Sequence, residues 1–213
     1  MDIYTTLKTR RTVRDFEQDG ITPRSIAPEL VQKLLSAGFL APTNDHMRDW
    51  HFVLLNDLTL RLSLISEVIH PVGVEGTEQL IESWGLQDEA QRAMYRDAVP
   101  KQFGMLADCG CLILPFYRQP KSLLNPREIS DLNYFASIWL CLGNILNAAA
   151  AEGIFGVTRI PAERESRVVK NRLNVPPDYE FPCWLALGYP ALNAPGIKQV
   201  PINVRSRIHQ DRW

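Results

Sequence analysis

The sequence predicts a single α+β sandwich, and three observations carry that expectation. Helix-like and strand-like segments alternate without the regular rhythm of a doubly wound sheet. Neither a GxGxxG nor a GxxxxGK[ST] phosphate loop occurs. The 213 residues, 46% hydrophobic and 22% charged, suffice for one core in one domain spanning residues 1–213.

Taken in order, Ser25 is placed to cap a helix whose first turn takes Pro28 and Glu29, with Leu30, Val31, Leu34, Leu35 and Phe39 on one face until Ala41-Pro42 ends it. "WHFVLLND", residues 50–57, is a short apolar run closed by a turn pair. It predicts a buried strand, followed by a helix from about Leu58 to Ile69. Residues 71–101 are polar and weakly patterned, with a solvated helix expected over 86–99; the region up to residue 108 reads as a variable lid. Trp84, Tyr95 and Phe103 there could stack on an aromatic molecule or simply pack the segment.

"CGCLILPFY", residues 109–117, has strand length and apolar continuity, whereas the two prolines of "RQPKSLLNPRE" mark a loop. The most apolar segment runs from Ser130, a plausible cap, to Gly153, a residue suited to a helix C-terminus. Asn133, Asn144, Asn147 and Glu152 interrupt it, so it reads as a core or interface helix and not a membrane span. "PCWLALGYP", residues 182–190, supplies a further strand.

Charge and cysteine content narrow the classes. With 23 Lys+Arg against 24 Asp+Glu, the chain lacks the broad basic surface of a nucleic-acid binder. The first residues show neither a signal-peptide nor a transit pattern, and Cys109, Cys111, Cys141 and Cys183 fit no zinc spacing. Buried thiols in a reducing cytoplasm, without disulfides, are the expectation. His46, His51, His70 and His209 form no HExxH motif, and no GxSxG elbow occurs; His51 and His70 read as structural.

Against this neutral background, "TRRTVRDF", residues 9–16, gathers three arginines, and Lys198, Arg205, Arg207 and Arg212 gather near the other end. Guanidinium forks match phosphate oxygens and stay charged at physiological pH. Arg205 and Arg207, one residue apart in an extended segment, would point the same way. The same spacing also fits a solvated face on which Arg10, Arg11 and Arg14 pair with Asp15, Glu17 and Asp19.

"RRTVRDF" resembles the amino-terminal signature of the FMN-dependent nitroreductase family, R-R/H-[ST]-x-R/K before an aromatic residue. Further segments follow in the family's order. "APTNDHMRDWHFVLL", residues 41–55, is similar to the loop that leads into a central strand, "LGNILNAAAAEGIFGVTRIP", residues 142–161, to the long central helix and the turn after it, and "CWLALGYP" to the late strand.

The resemblance implies a central, mostly antiparallel sheet flanked by helices, in an intertwined homodimer that binds FMN. It places Arg10, Arg11 and Thr12 at the ribityl phosphate, Arg14 at the flavin pyrimidine edge, and Arg205 and Arg207 at the phosphate. Pro42, Thr43 and Asn44 match the loop that a second subunit lays beside the isoalloxazine, and His46 stands at the family's usual Asn. Arg159 and Ile160 fall in the turn whose backbone N–H approaches flavin N5. Met47, Arg48 and Asp49 depart from the residues common in that loop.

The implied activity is ping-pong hydride transfer from NADH or NADPH, through flavin N5, to a small aromatic or quinone-like acceptor. The flavin carries the chemistry, so no acid-base constellation is required. Flavin fragmentation and reductive dehalogenation also occur in the family, and a flavin-binding module without turnover would use the same arginines. Neither a nucleic-acid nor a membrane partner is expected.

Overall fold

The computed structural model describes residues 2–196 and 201–213, so Lys198 of the C-terminal basic cluster lies outside them. The chain begins with α1 (Ile3–Thr9) and a small hairpin, β1 (Gln18–Asp19) with β2 (Thr22–Pro23), then α2 (Pro28–Gly38) and β3 (Trp50–Leu54). Four helices follow: α3 (Leu58–Val68), α4 (Val74–Ser83), α5 (Glu89–Ala98) and the short α6 (Gly104–Ala107). The remainder is β4 (Cys111–Arg118), α7 (Asn133–Ala151), β5 (Phe155–Arg159), α8 (Glu163–Arg172), β6 (Tyr179–Glu180) and β7 (Trp184–Gly188).

The main sheet runs β3-β4-β7-β5, with β6 beside the end of β4, and every pairing is antiparallel. Strand alternation sorts its side chains into two cores. Leu112, Leu114 and Phe116 of β4 join Trp184 and Ala186 of β7 in one core with α3 and α6. Cys111, Ile113 and Tyr117 join Leu185 and Leu187 in the other, with α2 and α7. Because β4 and β7 are buried on both faces, they read as continuous apolar runs. The α+β sandwich expected from the sequence is the fold observed.

The stretch Ile129–Ala151, which includes helix α7, is long and apolar enough to cross a membrane, with a mean hydropathy of 1.4 over an 18-residue window. Here it packs on α2 through Ile138, Cys141, Leu142 and Ile145. Contact is close because Gly38 faces it: a Cβ there would stand 2.7 Å from Ile145 Cγ1 and 2.9 Å from Cys141 Sγ.

Several local expectations need correction. The residue before α2 is Ala27, which offers no capping side chain, with Pro28 opening the helix; Ser25 lies two residues too early to reach its free N–H groups. Likewise Ser130 sits in a 3-10 turn, Ile129–Leu132, ahead of α7. Strand β3 is an edge strand, half-exposed and not buried. The region 71–108 holds α4 as well as the expected solvated helix. These two helices are joined by Trp84 against Tyr95, edge to face at 5.0 Å, and by Arg96 with Glu78 at 2.7 Å. Phe103 packs against the core.

All four cysteines are free and buried. Burial pushes the Cys111 thiol up to about 11 and that of Cys141 to about 12, so both are protonated and inert at neutral pH.

Candidate functional site

The segment after α1 is docked to the sheet rather than loose on the surface. Thr12 forms a parallel bridge to Gly156 of β5, the Val13 N–H donates to the Gly156 carbonyl at 3.2 Å, and Val13 and Phe16 are buried. Gly156 is required by crowding, since a Cβ would lie 2.3 Å from the Ala186 carbonyl oxygen. Docking of this kind fixes where Arg10, Arg11 and Arg14 emerge.

The ion-paired surface face suggested by spacing is not what forms. Asp15 pairs with Lys101 and Glu17 with Arg24, each at 2.7 Å. Among the described residues, no carboxylate lies within 4.0 Å of Arg10 or Arg11. The Arg11 guanidinium instead sits 4.7 Å from the Phe155 ring centroid, a cation-π distance. Arg14 differs: its side chain is 9% exposed, and it pairs with Asp97 of α5 at 3.1 Å and touches Met94 Sδ at 3.6 Å. Lys101 also bonds Asp97, so two cations and two acids (Arg14, Lys101, Asp15, Asp97) form one balanced cluster. A cavity of about 510 Å³ opens beside Arg14, Phe16, Lys101 and Asp108; burial pushes the Asp108 carboxyl above the usual range.

The turn after β5 is braced by side chains. Arg159 forms a fork-to-fork pair with Glu165, at 2.6 and 2.8 Å, and its Nε donates to Gln102 Oε1 at 2.7 Å. Glu165 also accepts the Ala162 N–H at 3.2 Å. Pro161 has no N–H. Ile160, 69% exposed, is therefore the residue of this turn whose N–H is left uncommitted among the described residues. A second cavity, of about 490 Å³, is lined by Ile160 and Pro161 together with Phe135 and Trp139.

The loop 42–46 is tied to the start of α7. The Asn44 N–H donates to Ser137 Oγ at 3.2 Å, and Asn133 Nδ2 donates to Asn44 Oδ1 at 3.1 Å. Pro42 is exposed, and His46 takes a left-handed φ of 54°. Thr43 Oγ1 is buried and has no hydrogen-bond partner among the described residues.

At the other end, residues 201–213 are exposed throughout. Arg205 and Arg207 lie in a 3-10 turn, Val204–Arg207, and not in an extended segment. With three residues per turn, their side chains diverge instead of sharing one face. Among the described residues neither has a carboxylate partner.

Sequence patterns located the arginines but missed Asp97, Lys101, Gln102 and Glu165. The one local signal was a glutamate in the first turn of α8, and with Ala162 at the N-cap the capping-box pattern lacks its first half.

The model of the nitroreductase family matches residues 7–189. A protein of Methanothermobacter thermautotrophicus described as an NADH dehydrogenase/NAD(P)H nitroreductase is 28% identical over 216 residues, covering 100% of this chain and 88% of its own. Among solved structures, oxidized iodotyrosine deiodinase bound to FMN and 3-iodo-L-tyrosine superposes with a TM-score of 0.71 at 18% identity, covering 100% of each chain. NADPH:FMN oxidoreductase from Vibrio harveyi, complexed with NAD+, gives 0.67 at 16% identity over 99% of this chain and 77% of its own. The family match takes in both the docked arginine segment and the braced turn after β5, and the chain belongs to the nitroreductase family.

Proposed function

We propose that this chain is an FMN-dependent oxidoreductase that takes hydride from NADH or NADPH and passes it to a small aromatic or quinone-like acceptor. The observation that carries the reading is that arginines without an acid among the described residues gather at both basic ends: Arg10 and Arg11 on the docked segment, Arg205 and Arg207 near the other end. Two forks without counter-charges at each basic end of a near-neutral chain are suited to a phosphate dianion. The buried, unsatisfied Thr43 Oγ1 is a further group that a bound polar ring would complete.

In this reading Arg10, Arg11, Thr12, Arg205 and Arg207 grip the phosphate, and Arg14 faces the pyrimidine edge. FMN, when bound, supplies hydride acceptance and donation at N5. The chain's part is to hold and orient it. The Arg159 side chain is occupied by Glu165 and Gln102, so its contribution is the backbone direction it gives the turn, and the N5 donor is the Ile160 N–H. Aromatic residues lining the adjoining cavity, Phe135 and Trp139, suit a planar acceptor.

The active unit is a homodimer, with Pro42, Thr43, Asn44 and His46 supplied by a second copy. Exposed Ile208 (63%) and Trp213 (102%) on the C-terminal segment, together with Leu140 on α7 (51%), are apolar surface that a second copy would cover. Residues 1–213 act as one domain, with 71–108 as its lid.

Anaerobic titration of the purified protein tests the proposal. The expected result is a yellow FMN spectrum that bleaches with NADH or NADPH and returns on adding a quinone. Yellow protein that no nicotinamide bleaches would reduce it to a binding module; colourless protein that takes up no added FMN would reject it.

A further inference from the structure

We infer that Glu165 and Gln102 are positioning residues, which act through Arg159 to fix the turn at 160–162 and couple it to the region 71–108. The proposal rests on the flavin reading for its consequence, but its geometry belongs to the protein alone.

One carboxylate holds both ends of the turn. Glu165 bonds Arg159, the last residue of β5, through both oxygens, and Glu165 Oε2 accepts the Ala162 N–H. The side chains of Arg159 and Glu165 are only 12% and 14% exposed, so solvent screens the pair less than a surface ion pair. Fork-to-fork geometry resists rotation as well as separation. Between these held ends stand Pro161, whose φ is restricted by its ring, and Ile160. The clamp therefore sets the direction of the one free N–H.

The third edge of Arg159 is taken by Gln102, next to Lys101, which bonds Asp97, the partner of Arg14. The short stretch 97–102 thus holds two arginines, Arg14 and Arg159, that are far apart in the sequence. A displacement of the region 71–108 reaches the N5 turn through Gln102, with no need for contact with the flavin itself.

An ion pair that merely stabilised α8 would affect melting and leave the turn's direction alone. The two roles separate in hydrogen-deuterium exchange of the flavin-free protein and in the midpoint potential of the FMN-loaded protein. E165A is expected to raise exchange at Ala162, whose N–H Glu165 accepts, about tenfold, as the loss of bonds worth roughly 1.4 kcal/mol would, with the middle of α8 unchanged. Oxidised flavin offers N5 as an acceptor and two-electron-reduced flavin does not. A loosened Ile160 N–H accordingly raises the midpoint potential and weakens FMN binding about fivefold.

E165Q, which keeps one acceptor, is expected to recover part of both effects, and Q102A to show a smaller change in the same peptide. Unchanged exchange at Ala162 in E165A, or a rise spread evenly over α8, overturns the clamp. Unchanged exchange in Q102A overturns the coupling to 71–108. Should the wild-type protein bind no FMN, the flavin reading fails and the exchange data alone decide the clamp.

Discussion

The two basic ends of the chain are built differently. Residues 10–16 are fastened to β5 by Thr12 and Val13 and to α5 by Arg14, and their buried Val13 and Phe16 belong to the main core. Residues 201–213 also carry three arginines yet are exposed at every position. The first end is positioned by the fold before any ligand arrives. Among the described residues the second has no such support. Arginine count alone does not separate the two ends; the committed side chains around them do.

That contrast makes the C-terminal pair the most sensitive point of attack. R205A/R207A removes charge that has no acid partner among the described residues, so the melting temperature of the flavin-free chain should be unchanged. FMN affinity, in contrast, should fall roughly a hundredfold or more, since charge-assisted hydrogen bonds contribute about 1.5–3 kcal/mol each. Fluorescence titration of FMN beside a melt of the flavin-free protein reads both. A lowered melting point with affinity intact would mean that the C-terminal end is structural and the contrast is wrong.

The docked end should show the reverse pattern. Gly156→Ala forces a Cβ against the Ala186 carbonyl, a backbone atom that cannot swing aside. Overpacking of this kind costs about 1–3 kcal/mol, which for a chain of this length lowers the melting point by several degrees. Because Thr12 and Val13 rest on Gly156, the loss should appear in the flavin-free protein and be accompanied by faster amide exchange at Val13. An unchanged melt would show that the strand pair yields easily and that the segment is less firmly placed than its contacts indicate.

The sequence exposed these features unevenly, for physical reasons. Strands β4 and β7, buried on both faces, are legible as apolar runs, α2 as a periodic apolar face, and α7 as the most apolar segment of the chain. Strand β5 is short, and its "FGVTR" follows directly on the most apolar helix, so no composition change marks it. Helix α8 is charged along most of its length and carries little apolar period. At the site, the arginines stood out because cations are conspicuous in a neutral chain. Their partners did not: Asp97, Lys101 and Gln102 meet Arg14 and Arg159 only through tertiary contact, and nothing local distinguishes them from other residues of a polar segment. Spacing also misjudged Arg205 and Arg207, because an i, i+2 pair shares a face in a strand but not in a 3-10 turn.

The smallest expected effect falls on the cluster that balances Arg14, and its sign is more informative than its size. Asp97 neutralises a guanidinium that is itself nearly buried. Asp97→Asn leaves an amide that still accepts from Arg14, so stability should fall by only about 1 kcal/mol, while Lys101 keeps Asp15. Electrons added to a flavin beside Arg14 are favoured by local positive charge. D97N, which unmasks that charge, should raise the midpoint potential, whereas R14A should lower it. A purely structural role for the pair predicts shifts of the same sign from both substitutions, since D97N weakens and R14A removes the same contact. Opposite signs in spectroelectrochemical titrations would show that Arg14, although fastened like the rest of its segment, also acts through its charge. Equal signs would leave it an anchor.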